Sequence, residues 1–152
     1  MVLADAFPPA KRKEHIDRQL EPWRILRLYC RFTQPPKEKF LLLIETIPDF
    51  RFFVINSRIL RLFESQPRMK CTQVPIDSAS HACLSHDSIV DCSRTWAIAG
   101  EEASQQLMAD AGRIKGLASE SLRSLIIESV KGNPRMTGYE KRAILRCLTA
   151  DG

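Results

Sequence analysis

The sequence has no apolar run near the ~18–20 residues that a membrane-spanning helix needs. Its longest, around Phe40–Ile44, is the length of a strand. Residues 1–9 lack the cationic start and the roughly 7–15-residue apolar segment of a secretory signal. There is no internal repeat and no low-complexity tract. An even cysteine count is missing too: the five are Cys30, Cys71, Cys83, Cys92 and Cys147. An odd number without an export signal points to reduced thiols and a cytoplasmic location. Cys83 and His86 stand close in sequence, with Cys71 and Cys92 nearby, but the second close pair of ligands that a zinc site uses is lacking. The expectation is no metal and no cofactor, with a zinc module as a minor alternative.

What is present is ordinary for a folded chain of one domain: 152 residues, 44% hydrophobic and 27% charged. The net charge of +5 is unevenly spread. Residues 1–70 hold 14 Lys/Arg against 8 Asp/Glu, and residues 71–152 hold 9 against 10. A basic half suits a polyanion, because neutralising phosphates releases counterions. It equally suits a solvated surface.

Along the chain, residues 1–22 read as a polar leader, with a short amphipathic helix over 10–20 that Pro22 stops. From Trp23 the pattern becomes strand-like. Residues 24–32 mix apolar side chains with arginines, and Pro35-Pro36 forces a turn. Residues 40–44 read as a central strand buried on both faces, and Phe52–Asn56 as another strand. Further strands are expected at 71–76 and from Ser88 towards Ile98. After Gly100 the period becomes helical. Residues 101–110 carry acids in the first turn, where the helix dipole favours them. Leu117, Leu122, Leu125, Ile126 and Val130 form an apolar stripe, and Thr137-x-x-Glu140 is a capping box opening a last helix. The expected fold is mainly β with C-terminal helices, an α+β arrangement. A small closed barrel of about five strands spans 23–98 and two or three helices span 101–150, in one domain of residues 23–152.

Three segments, in order, give this chain a resemblance. They are Lys37-Glu38-Lys39-Phe40-Leu41-Leu42-Leu43-Ile44, Leu84-Ser85-His86-Asp87-Ser88-Ile89-Val90-Asp91-Cys92-Ser93, and Gly112-Arg113-Ile114-Lys115-Gly116-Leu117-Ala118-Ser119-Glu120-Ser121-Leu122. Together they resemble the MazF/PemK family of bacterial toxin ribonucleases. That resemblance implies an SH3-like barrel, commonly a homodimer, that cuts single-stranded RNA without metal. It also implies an antitoxin partner whose disordered acidic segment occupies the RNA groove. Lys39-Phe40 stands where the family has Arg-Pro, and the family's hydroxyl position falls on Ser57, followed by Arg58.

Metal-free cleavage needs a group to take the 2′-OH proton, another to protonate the leaving 5′-oxygen, and a cation beside the phosphoryl oxygens. The candidates are Lys39, Ser57, Arg58 and His86, the last beside Asp87 in the pair best suited to proton transfer near neutral pH. His81 lies in the same loop. Arg27, Arg31, Lys37 and Asp87 are candidates for RNA contact, with Arg27 and Arg31 sharing one strand face. Lysine supplies charge but not a planar bidentate fork, so Arg58 is the candidate to stand in for the missing guanidinium. Trp23, Tyr29, Phe52 and Phe53 are candidates to stack on bases, although core burial is the plainer role for both phenylalanines. The alternative is a barrel of the same fold that binds RNA or a protein segment and has lost catalysis.

Overall fold

The computed structural model describes residues 8–150. The first seven residues of the expected leader and the last two of the chain lie outside that range.

In chain order the elements are α1 (Pro9–Gln19), β1 (Arg24–Cys30), β2 (Lys37–Glu45), β3 (Phe50–Asn56), α2 (Arg61–Glu64) and α3 (Pro67–Lys70). Then come β4 (Gln73–Ile76), β5 (Ser88–Ile98), α4 (Gly100–Ala109), β6 (Ile114–Leu117), α5 (Glu120–Lys131) and α6 (Gly138–Thr149). The six strands form one curled antiparallel sheet, a half-barrel in the order β4-β5-β3-β2-β1-β6. The fold is α+β, with the β elements concentrated in the first two thirds of the chain.

The apolar run of β2 explains why the sheet needs cover on both sides. Successive strand residues point to opposite faces. Phe40, Leu42 and Ile44 meet one core cluster, and Leu41 and Leu43 meet the other. The first face is roofed by α5 and α6, through Leu122, Ile126, Val130, Ile144 and Leu148. The second is roofed by α1 and α4, through Ile16, Ala103 and Leu107. Phe52 and Phe53 are fully buried, one in each cluster. Each such side chain contributes roughly 1.5–3 kcal/mol through the area it removes from water.

β5 reaches both clusters by a bulge. Between the pairs Val54↔Asp91 and Phe52↔Trp96, β5 takes five steps while β3 takes two. The extra residues reverse its phase. Val90 and Cys92 face the first cluster, and Ile98 and Trp96 face the second.

Four differences from the sequence reading have physical causes. The sheet is not a closed barrel of about five strands: β4 and β6 are its two edges, and helices cover both faces where a closed barrel has a solvated outside. Helix outweighs strand, so the fold is not mainly β. Leu117 belongs to β6 and not to the helical stripe, because Ile114–Leu117 pairs with β1. The leader's helix forms as expected at Pro9–Gln19, but it is also part of the core through Ile16. No helix among the described residues is long and apolar enough to cross a membrane.

Trp23 ties these layers together. Its amide donates to the Leu43 carbonyl at 2.9 Å, and its carbonyl accepts from the Ala118 amide at 2.9 Å. Its indole Nε1–H donates to the Leu148 carbonyl at 2.9 Å, at the end of α6. The residue is buried and holds a left-handed φ of 76°. A bulky side chain adopts that conformation only where its surroundings over-determine it. Trp23→Phe keeps an aromatic side chain, but a smaller one, and strands the buried Leu148 carbonyl. Urea unfolding is expected to show a loss of about 1–3 kcal/mol with an unchanged m value. A loss indistinguishable from zero would show that this bond does not fasten α6.

Candidate nucleic-acid interface

Antiparallel pairing brings several separated segments to one end of the sheet. β1 ends there at Cys30, opposite Lys37 of β2, and β3 ends at Asn56, opposite Ile89 of β5. The candidates Arg31, Lys37, Lys39, Ser57, Arg58, His86 and Asp87 therefore all stand at or just beyond this end, while Arg27 lies one turn of the pleat inward.

Lys39 is the most constrained of them. It is half-buried, and its Nζ donates to Asn56 Oδ1 at 2.7 Å. Burial lowers its pKa below the ordinary lysine value, and neighbouring Lys37 lowers it further. The nearby Cys30 thiol and Asp91 oppose the shift. The Cys30 thiol itself is pushed up to about 11 by burial. Lys39 thus offers a cation of reduced hydration whose ammonium is already oriented by one amide oxygen.

Ser57 and Arg58 follow Asn56 into an exposed bend. Among the described residues nothing pairs with the Ser57 hydroxyl or the Arg58 guanidinium. His86 is exposed, and its Nδ1 contacts the Asp87 carbonyl at 2.9 Å and the Ser88 hydroxyl at 3.3 Å. The two side chains of the expected His86–Asp87 pair do not meet. The Asp87 carboxylate accepts instead from the Ser78 amide at 2.9 Å and hydroxyl at 3.0 Å, closing the loop between β4 and β5. Among the described residues nothing hydrogen-bonds to the Nε2 of the exposed His86 ring.

The other basic candidates divide. Arg27 is spent on Glu38 (3.2 Å) and lies over the Phe40 ring at 4.8 Å. Glu38 also pairs with Arg113 at 2.6 Å, and the two arginines hold its carboxyl below the usual range, Arg27 first. Arg31 pairs with Glu102 of α4 at 2.9 Å. Arg27 and Arg31 do not share a face, because β1 ends at Cys30 and the chain turns towards α4. Lys37 remains exposed. Of the aromatics, Trp23, Phe52 and Phe53 are core, and Tyr29 is partly exposed.

His81 has a structural place. Its ring is buried, Nδ1 contacts the Asp77 carbonyl at 2.8 Å, and Nε2 accepts from the Ser119 amide at 3.0 Å. Accepting at Nε2 fixes the proton on Nδ1, and the ring secures the entry to α5. The cysteines do not gather with His86. Cys92 is fully buried, with its thiol pushed up by that burial, and Cys71 is exposed. Among the described residues no three His, Cys, Asp or Glu side chains come together as a metal set.

Two groups escaped the sequence reading. Asn56 orients Lys39, a contact that depends on strand register. Asp91 is a buried carboxylate accepting from Gln73 (2.8 Å) and from the Ser93 amide (3.0 Å) and hydroxyl (2.6 Å). Its signal was available: a lone acid inside the apolar run Ile89-Val90-Asp91-Cys92. No protein-family model matches the chain, and no curated protein matches it.

The lowered pKa of Lys39 has a signed consequence. Below its folded pKa the charged ammonium is penalised in the folded state only. Between that value and the ~10.4 of an unfolded lysine, the unfolded chain binds more protons, so stability rises with pH. Lys39→Met removes this contribution. In urea unfolding its stability relative to the native chain should be greatest near pH 7 and decline as pH approaches 10.4. A pH-independent difference would contradict a desolvated Lys39.

Proposed function

We propose that this chain is a metal-independent endoribonuclease that acts on single-stranded RNA at the open end of the sheet. The observation that carries the reading is the exposure of Ser57 and Arg58, both without a partner among the described residues, at the same sheet end as Lys39 and His86. Two other basic candidates, Arg27 and Arg31, are engaged by the carboxylates of Glu38 and Glu102.

In the proposed reaction a ribose 2′-oxygen attacks the adjacent phosphorus. The new P–O2′ bond forms as the P–O5′ bond breaks, leaving a cyclic phosphate and a free 5′-hydroxyl. His86, an exposed ring whose Nε2 has no hydrogen-bond partner among the described residues, is the group to exchange protons with the attacking and leaving oxygens. Arg58 offers a planar fork to the phosphoryl oxygens and Ser57 a hydroxyl donor, with the Lys39 charge behind them. The resemblance to MazF/PemK toxins supports the same reading. With it come the finer expectations of an SH3-like descent for the curled sheet, a homodimer, a cytoplasmic setting and an acidic antitoxin partner.

A second reading is favoured by one contact. The Lys39 ammonium is turned to Asn56, so the site would bind RNA or a protein segment without cutting it. The two are separated by incubating long single-stranded RNA with the protein in excess EDTA. Cleavage is expected, slowed at least about 100-fold in Ser57→Ala/Arg58→Ala. Salt-sensitive binding without cleavage would sink the enzymatic reading and leave the second.

A further inference from the structure

A separate cleft of about 820 Å³ opens between α6 and the ends of the strands remote from Lys37 and Asn56. Its walls come from the end of β2, the start of β3, the bulge of β5 and the segment around α2. Two guanidiniums in this lining are stacked and have no ion pair among the described residues. Arg94 lies 3.6 Å over the Trp96 ring, and Arg135 lies 5.7 Å from the Phe63 ring. Arg94 uses only its Nε–H, towards the Thr95 carbonyl at 3.3 Å. Among the described residues the Arg135 guanidinium makes no hydrogen bond.

The carboxylates of the lining are already occupied. Glu45 accepts from Arg51 Nε at 3.1 Å and from the Cys147 thiol at 3.2 Å. Asp91 is held by Gln73 and Ser93, and Glu140 accepts from the Thr137 amide at 3.2 Å in the capping box of α6. The charged groups left for a ligand are therefore cations. Tyr139, 76% exposed, adds an open ring. A guanidinium laid on an aromatic ring keeps its outer face open to a base and its N–H groups open to phosphate.

We propose that this cleft binds single-stranded nucleic acid, with bases stacked on Arg94 and Tyr139 and phosphates on Arg94 and Arg135. The proposal concerns binding alone and holds whether or not the sheet end cuts RNA. The probe is a fluorescein-labelled 2′-O-methyl RNA octamer, which lacks the attacking hydroxyl and cannot be cleaved, followed by fluorescence anisotropy over a range of salt. Arg94→Ala/Arg135→Ala is expected to weaken binding at least tenfold. It should also make the log–log salt slope shallower by about 1.4, the share of two phosphate contacts on a single strand. Tyr139→Ala should weaken binding with the slope unchanged. All three side chains are exposed, and circular dichroism checks that the variants fold. Native affinity and slope in Arg94→Ala/Arg135→Ala would overturn the proposal. So would a chain that ignores the octamer but binds a glutamate-rich peptide through the same two arginines. Loss of cleavage in EDTA with these octamer results intact would overturn only the proposed activity.

Discussion

The left-handed backbone at Trp23 and the three hydrogen bonds that hold it are the constraint on which the molecule depends. One residue joins the middle of the sheet at Leu43, the entry to α5 at Ala118 and the last turn of α6 at Leu148. A φ of 76° costs a bulky residue of order 1–3 kcal/mol, so it persists only because both neighbouring segments and a buried ring insist on it. Fastened there, α5 and α6 cover one face of the sheet. The opposite face is closed by α1 and α4, and the strand ends at Lys37 and Asn56 remain outside this clamp.

The same architecture sorts the charges. The basic half is not a uniform field. Arg24 donates to the Gln19 and Lys115 carbonyls, and Arg27 and Arg113 grip Glu38. These arginines hold α1, β1, β2 and β6 together and have little left for a phosphate. Among the described residues the cations left without a carboxylate partner include Lys37 and Arg58 at the sheet end and Arg94 and Arg135 in the cleft beside α6. Electrostatic attraction would draw a polyanion to the surface generally, while side chains without internal partners are the freest to make directed contacts.

Much of this was legible in the sequence where the signal is local. The run Phe40–Ile44 announced a strand buried on both faces; Leu41 to Ile44 are buried and Phe40 is half-buried against the first cluster. Thr137 and Glu140 announced the capping box, and both of its bonds form. What could not be read depends on register and tertiary pairing. Ile114–Leu117 carries a helical-looking leucine and becomes a strand only because β1 offers it an edge. The engagement of Arg27 by Glu38 follows from Tyr29 standing opposite Glu38 across the β1–β2 pair. The Lys39–Asn56 bond needs the β2–β3 register in the same way. Closure of the barrel failed as an expectation because the long bulge of β5 lets one sheet serve two cores, so that helices, and not further strands, complete the fold.

The central claim is that RNA meets the sheet end. It is tested most directly by following backbone amide resonances while an uncleavable 2′-O-methyl RNA is added. The account predicts that residues 37–39, 56–58 and 86–88 shift together and saturate at one RNA concentration, while the buried Trp23 and Ala118 amides hold still. Shifts confined to the outer face of α5, around Leu125, or no shifts near Ser57 and Arg58, would contradict it.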